Sequence, residues 1–419
     1  MVVATGVFLM VGPDHLAGQS SELARLQTAV EARLTELRGE LIEVRRDFHR
    51  HPELSGREER TAGIVAERLR AAGYAVNTGI GGHGVVAILR GGSDQPLVAF
   101  RADMDAVTSN DPDPVPFAST ISGVRHICGH DIHTTVGLAL AEGMAAVRDD
   151  LAGSIMFIFQ PAEETATGAR AMIEDGLFSE FQPDAVFAYH TAPLQVGQVG
   201  TKSGTLLAGR DRFRIRFSGE GDLSSAADKA VELVRATSTV APSTPSVEGD
   251  FALVQVFRSR AGDDPDSWLI LGQATTSSLD ESTRVEARIR QSLPEVLPQV
   301  LSWTLDYEVR AIAGATNDAE LERASRRALT SVLGDSGVVV IESVPTQFSE
   351  DFGSFQEAVP GVMYYLGVSN SEKGWVGLPH SPAYVADEGA IEVGARAMSA
   401  VMLNFLITAA ANTESSGRS

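Results

Sequence analysis

Four short, mostly apolar runs constrain this chain most: residues 84–90, 96–100, 154–159 and 185–189. Each has the length of a strand and is bounded by turn residues, as buried strands are. Helical patterns lie around them. Leu23, Leu26, Val30, Leu34, Leu37, Leu41, Val44 and Phe48 recur every three or four residues, which predicts one long amphipathic helix with Gly39 as a weak point. It should end at His49-Arg-His-Pro-Glu-Leu, because Pro52 disfavours helix in the residue before it. Residues 57–72 read as a second helix stopped by Gly73, and residues 134–147 as a third. Strands alternating with helices predict an α/β sandwich with a largely parallel sheet. Ligand sites in such sheets gather at the carboxyl ends of the strands.

At 419 residues the chain exceeds one compact core, so two or three domains are expected. Its net charge of -21 argues against nucleic acid and anionic membrane surfaces as partners. No apolar run reads as a membrane span. Residues 1–12 are apolar but lack a preceding Lys or Arg and a clear cleavage site, so no signal peptide is expected. Cys128 is the only cysteine, which rules out an intramolecular disulfide and favours a reducing compartment; cytoplasm is the default.

Chemistry concentrates in His126-Ile-Cys-Gly-His-Asp-Ile-His133. Read alone, Cys128 fits a buried free thiol as readily as a ligand. If Cys128-Gly-His130 is extended, however, its alternate side chains share a face, and thiolate with imidazole suits Zn, Mn, Co or Ni. Arg101-Ala-Asp-Met-Asp105, Gln160-Pro-Ala-Glu-Glu164 and His190 each follow an expected strand end. Adjacent acids such as Glu163 and Glu164 are usually just solvated. Behind so apolar a strand and Pro161 they admit a second reading, one carboxylate on a metal and its neighbour facing the substrate. His380, in Leu-Pro-His-Ser-Pro, has nothing local to promote it. Glycines at 63, 73 and 79–84 read as turns and packing positions, with no organic cofactor implied.

Together these segments resemble the amidohydrolase branch of the M20 metallopeptidases, which includes hippurate hydrolases, N-acyl-amino-acid deacylases and auxin-conjugate hydrolases. The matching pieces are Arg46–Ser55, Phe100–Ala106, His126–His133, Phe159–Glu164, Ala188-Tyr-His190, Ser349-Glu-Asp-Phe352 and Leu378–Pro382. The resemblance implies a zinc-peptidase-like catalytic α/β sandwich holding two divalent ions. Cys128, His130, Glu164, His190 and His380 would be the ligands and Glu163 the general base, with Asp131 and Asp103 as supporting groups. It also implies an inserted α+β, ferredoxin-like lid over residues 207–317, between catalytic segments 1–206 and 318–419, and a homodimer through that lid. Strands at 211–217, 251–257, 268–274 and 305–309 and helices at 223–240 and 282–301 fit that lid.

The lid departs from the family pattern. Asp222 stands where a histidine that stabilises the tetrahedral intermediate is expected. Residues 262–266 replace an Asn and an Ile-Pro-Asp turn, and Ala274-Thr-Thr-Ser-Ser278 replaces a Gly-Thr-x-Arg that meets a substrate carboxylate. An acid after Asp105 is replaced by Asn110 or a neighbour. Either the lid has shifted register and another residue supplies the donor, or substrate or reaction has changed. The missing clamp argues against an ordinary N-acyl amino acid. Three readings follow: an amidohydrolase acting on a small amide, a tailoring enzyme that forms amides or runs another non-hydrolytic step, and a non-catalytic binding protein on the same scaffold.

Overall fold

The computed structural model describes residues 13–261, 266–298 and 301–416. An eight-stranded sheet forms the larger layer. Its order is Ala75–Ile80, Gly84–Leu89, Ser154–Gln160, Leu97–Asp103, Ala185–Gln195, Gly361–Ser369, Val199–Thr201 and Val338–Val340. The four central strands, from Ser154–Gln160 to Gly361–Ser369, run parallel. Gly84–Leu89 and Val199–Thr201 flank them antiparallel, so the sheet is mixed at its edges.

The four apolar runs are the strands expected, fully buried over Gly84–Leu89, Leu97–Asp103 and Ser154–Gln160. Two run further than their apolar cores. One carries Arg101 and Asp103 inside the sheet, and the other carries His190 within the strand rather than after it. Paired backbone in a neighbouring strand holds polar residues extended where hydropathy alone predicts an end.

Helices cover both faces. Pro13–Arg50, Glu59–Ala71, His130–Ala145, Ala319–Leu333 and Gly389–Ser416 share one apolar layer with the sheet. Gly168–Glu174 and Gly353–Gln356 pack on the other face. Contrary to the sequence reading, Gly389–Thr413 is long and apolar enough to cross a bilayer by length and composition. Here Met398, Val401, Met402 and Leu406 are buried in the core, so the apolar run serves as a central helix.

A second, four-stranded antiparallel sheet has the order Ala252–Ala261, Ser267–Thr276, Gly209–Gly219, Leu301–Ile312. Helices Leu223–Arg235 and Leu279–Val296 bury Ala227, Val234, Val285 and Ile289 against it. Both helices are shorter or shifted relative to the sequence reading. The first stops at Arg235, and the second begins early because Ser278 caps it by accepting the Glu281 N–H at 3.2 Å. Of the departures noted above, residues 262–265 lie outside the described residues, as do residues 1–12.

Candidate metal centre

The Cys128–His130 segment is a turn, not the extended strip expected. Gly129 takes φ 95° and the helix His130–Ala145 starts at the next residue. A Cβ at Gly129 would overlap Tyr384 Oη and lie 2.7 Å from Thr191 Oγ1, so glycine is needed both for the turn and for close packing. Cys128 Sγ lies 3.5 Å from His190 Nε2. His190 Nδ1–H donates to the Thr191 carbonyl at 2.8 Å, which leaves Nε2 as the nitrogen with a free lone pair.

The Glu163–Glu164 turn follows strand Ser154–Gln160. Ala162 and Ala166 both hold positive φ, 52° and 53°, on either side of the pair. Strain of this kind persists only where surrounding structure fixes it, and it concentrates at functional sites. Asp105 supplies the fixing: its Oδ1 accepts the Glu163 N–H at 3.1 Å and its Oδ2 the Glu164 N–H at 3.0 Å. Ser55 donates to the same carboxylate at 2.6 Å, and Glu58 accepts the Ala162 N–H at 2.8 Å. His380, also at positive φ (59°), is held by its N–H donating to the Ile127 carbonyl at 2.8 Å. Its Nε2 lies 3.5 Å from Glu164 Oε2.

All six residues singled out from the sequence therefore meet. Cys128, His130 and His190 place ligand atoms within 4.8 Å of one another, as do Cys128, Glu164 and His380, and His130, Glu163 and Glu164. Cys128, His130 and Glu164 each belong to two of these groups. His130 Nε2 and Glu164 Oε1 are buried, lack a hydrogen-bond partner, and stand 3.8 Å apart. The electrostatics point the same way. Burial, then Glu164 and Glu163, push the Cys128 thiol well above its ordinary value. Burial and neighbouring acids push Glu164 up to about 7. Burial alone would lower His130, but Asp103 and Asp105 raise it to about 10. Crowded acids and a suppressed thiolate beside orphaned donor atoms are what divalent cations would relieve, so the residues present fit a two-ion centre.

Of the supporting acids, Asp103 does stand by the centre, with Oδ2 3.7 Å from His130 Nε2. Asp131 faces away: Arg45 and His49 pair with it at 2.8 and 2.7 Å, anchoring the motif to the first helix. Beyond Asp105, Asp113 sits 3.0 Å from His49 Nε2, on the far side of His49 from Asp131. Sequence reasoning gave no role to Asp105 or to His133. His133 uses both nitrogens, on Asp103 Oδ1 at 2.6 Å and on the Thr191 N–H at 2.8 Å, which makes it a strut. Behind Glu163, the fully buried Arg101 pairs with Asp103, Glu350 and Asp351 at 2.7, 2.8 and 3.3 Å. Asp222 is accounted for differently: it is an exposed helix N-cap, accepting the Ser225 N–H at 3.0 Å.

These groups open into a cavity of about 670 Å³ whose walls come from both sheets, including Tyr365 of the larger and Arg210 and Ile312 of the smaller. Residues 99–404 match the model of peptidase family M20/M25/M40. The chain belongs to that family. It is a metal-dependent hydrolase of linear amide bonds, as the motif set implied. It is similar to the N-acetylcysteine deacetylase of Bacillus subtilis, 31% identical over 373 residues, covering 85% of this chain and 94% of the relative. Similarity to the thermostable carboxypeptidase 2 of Saccharolobus solfataricus is also 31%, over 384 residues, with 87% and 95% covered. Among solved structures, a dinuclear metal binding M20 peptidase of Bacillus subtilis superposes with TM-score 0.76 at 28% identity, covering 89% of this chain and 99% of that one.

Proposed function

We propose that this enzyme cleaves the amide bond of a small N-acyl compound, with Glu163 as the proton-transferring base. Cys128, His130, Glu164, His190 and His380 would hold two divalent ions, from among Mn, Zn, Co and Ni. When bound, such ions polarise a carbonyl and acidify a water. The observation that carries the reading is the division of labour within one turn. Glu164 gathers with Cys128 and His380 as well as with His130, while Glu163 has one oxygen 3.7 Å from His130 Nε2 and otherwise gathers with the acids Glu350 and Asp351.

Glu163 is suited to carry a proton. Burial, then the neighbouring Glu350 and Glu164, raise its pKa well above the ordinary carboxylate value. It would accept a proton as the water oxygen adds to the amide carbon. As the C–N bond breaks, it would return that proton to the leaving nitrogen. The Asp105 bonds fix the backbone from which both carboxylates project, so the turn need not reorganise during the step. Since Asp222 is explained by helix capping, nothing at that position favours a changed reaction.

The second sheet, as an inserted unit over residues 207–317, is the part we take as lid and homodimer contact. Its outer strands Ala252–Ala261 and Leu301–Ile312 each leave one edge unpaired within the sheet, and Phe257 is exposed there. We place the enzyme in the cytoplasm, where a single thiol stays reduced. The deciding experiment measures turnover of a pool of N-acyl compounds by metal-reconstituted protein, beside Glu163→Gln. Turnover should vanish in the variant while metal content stays. Equal turnover by both proteins would remove Glu163 as the base.

A further inference from the structure

One face of the second sheet carries charge opposite in sign to the chain as a whole. Helices Leu223–Arg235 and Leu279–Val296 cover the other face and leave this one open. Strand register arranges it in rows. Arg258, Leu271, Arg214 and Asp306 stand side by side across the four strands. Arg260, Leu269 and Arg216 lie in the next row outward, and Arg212 with Glu308 in the next row inward. Cross-strand partners project from one face of a sheet. All five arginines are exposed. They outnumber the acids on these rows, although the whole chain has 34 Lys and Arg against 55 Asp and Glu.

Within the face this charge is poorly matched. Arg214 and Asp306 approach to 3.9 Å with both side chains well exposed, a pair of little energetic weight. Among the described residues, Arg212, Arg216 and Arg258 have no carboxylate within ion-pair distance. None of these arginines lines the cavity over the metal centre, but the row inward of Arg212, which holds Arg210 and Ile312, does. Successive rows lie about 7 Å apart along a strand. The arginine face therefore begins at the rim of the cavity and runs outward from it.

The make-up of the rows selects the kind of partner. Leu269 and Leu271 sit half-buried among the guanidinium groups, and arginine around an apolar centre suits a protein interface. No aromatic ring stands in these rows for a nucleic-acid base to stack on. A second copy meeting this face about a twofold axis would set arginine against arginine. We propose that the open face of the second sheet is a docking surface for an acidic protein, held at the rim of the catalytic cavity. The arginines supply attraction and orientation, and the leucines supply contact from which water is excluded.

Titration of the metal-loaded protein into dye-labelled poly-L-glutamate, read by fluorescence anisotropy, tests this. Binding is expected at low ionic strength even though protein and probe are both anionic overall. It should be lost by about 0.5 M salt, which screens exposed charges. Arg212→Gln, Arg216→Gln and Arg258→Gln together should weaken it about tenfold or more, with turnover of small N-acyl compounds unchanged. The three side chains are exposed, so the triple variant should unfold at the wild-type temperature; if it does not, Arg258→Gln alone should still weaken binding about twofold or more. No binding by the wild type, or equal binding by wild type and variants, would overturn the proposal. So would tighter binding of a single-stranded oligonucleotide than of poly-L-glutamate, which would make the face a nucleic-acid site. A change in oligomeric state of the triple variant in sedimentation, with no probe present, would make the occupant a second copy and overturn it equally.

Discussion

Asp105 Oδ1 lies 3.3 Å from His130 Nδ1, and the same carboxylate accepts the backbone N–H groups of Glu163 and Glu164. One buried acid thus orients an imidazole on one motif and holds the backbone of two glutamates on another. Outer groups of this kind typically contribute 10- to 100-fold to metal affinity. Asp105→Asn should weaken metal binding by about that factor and lower turnover with it. Competition with a chelator measures the first effect, and unchanged affinity would show that the turn holds itself.

Cys128 shares in two of the three ligand groups that gather the residues named from sequence. Cys128→Ala should therefore lower metal occupancy after dialysis, read by elemental analysis, while far-ultraviolet circular dichroism stays the same. Full occupancy in the variant would leave the thiol as a packing residue.

Gly129→Ala should be among the most damaging single-methyl changes. The left-handed backbone costs a residue with Cβ about 1–2 kcal/mol, and the added atom also overlaps Tyr384 and Thr191. A loss of more than about 2 kcal/mol in urea unfolding is expected. A smaller loss would mean the turn relaxes at little cost.

Asp222→Ala removes a helix cap and should cost about 1 kcal/mol of stability. Its kcat/KM should stay within about twofold of the wild type, because the side chain is exposed and engaged with its own helix. A large kinetic loss at unchanged stability would return Asp222 to the reaction.

Asp387 gives a pH-dependent term. Burial alone would raise its pKa, but Lys373, the Gly389 N–H and Asn370 together hold it below the ordinary aspartate value. The folded state thus favours the ionised form. The contribution is complete above the unfolded pKa and fades as pH falls through the lower folded one. Asp387→Asn should cost up to about 1 kcal/mol near neutral pH, discounted for the exposed Lys373, with the gap closing in acid. A gap independent of pH would exclude this charge effect.

Much of this enzyme was legible in its sequence because the signals are local. Apolar runs, helical periodicity and motif spacing predicted the α/β sheet, the helices around it and the residue types of the centre. The six residues named from the motifs do converge, although His380 is 250 positions from His130 and had no local signal of its own. The errors also have local causes. The sequence pattern starts the third helix at residue 134, four residues too late, because the polar His130-Asp131 pair hides a helix start that Gly129 makes possible. Gly389–Thr413 carries the hydropathy of a membrane span and is a core helix, since composition does not reveal what an apolar face packs against.

Tertiary structure alone decided the rest. That Asp105 rather than Asp131 organises the centre depends on a strand end meeting a turn 58 residues later in the chain. That Arg210 and Ile312 share one cavity wall depends on antiparallel register, which sets which side chains share a face. That Asp222 is a cap depends on where one helix begins. Sequence determined which chemistry this chain can hold, because ligand types and hydrophobic periods are written residue by residue. The fold decided which residues perform it, because contacts between distant segments are made by packing and register rather than by neighbours in the chain.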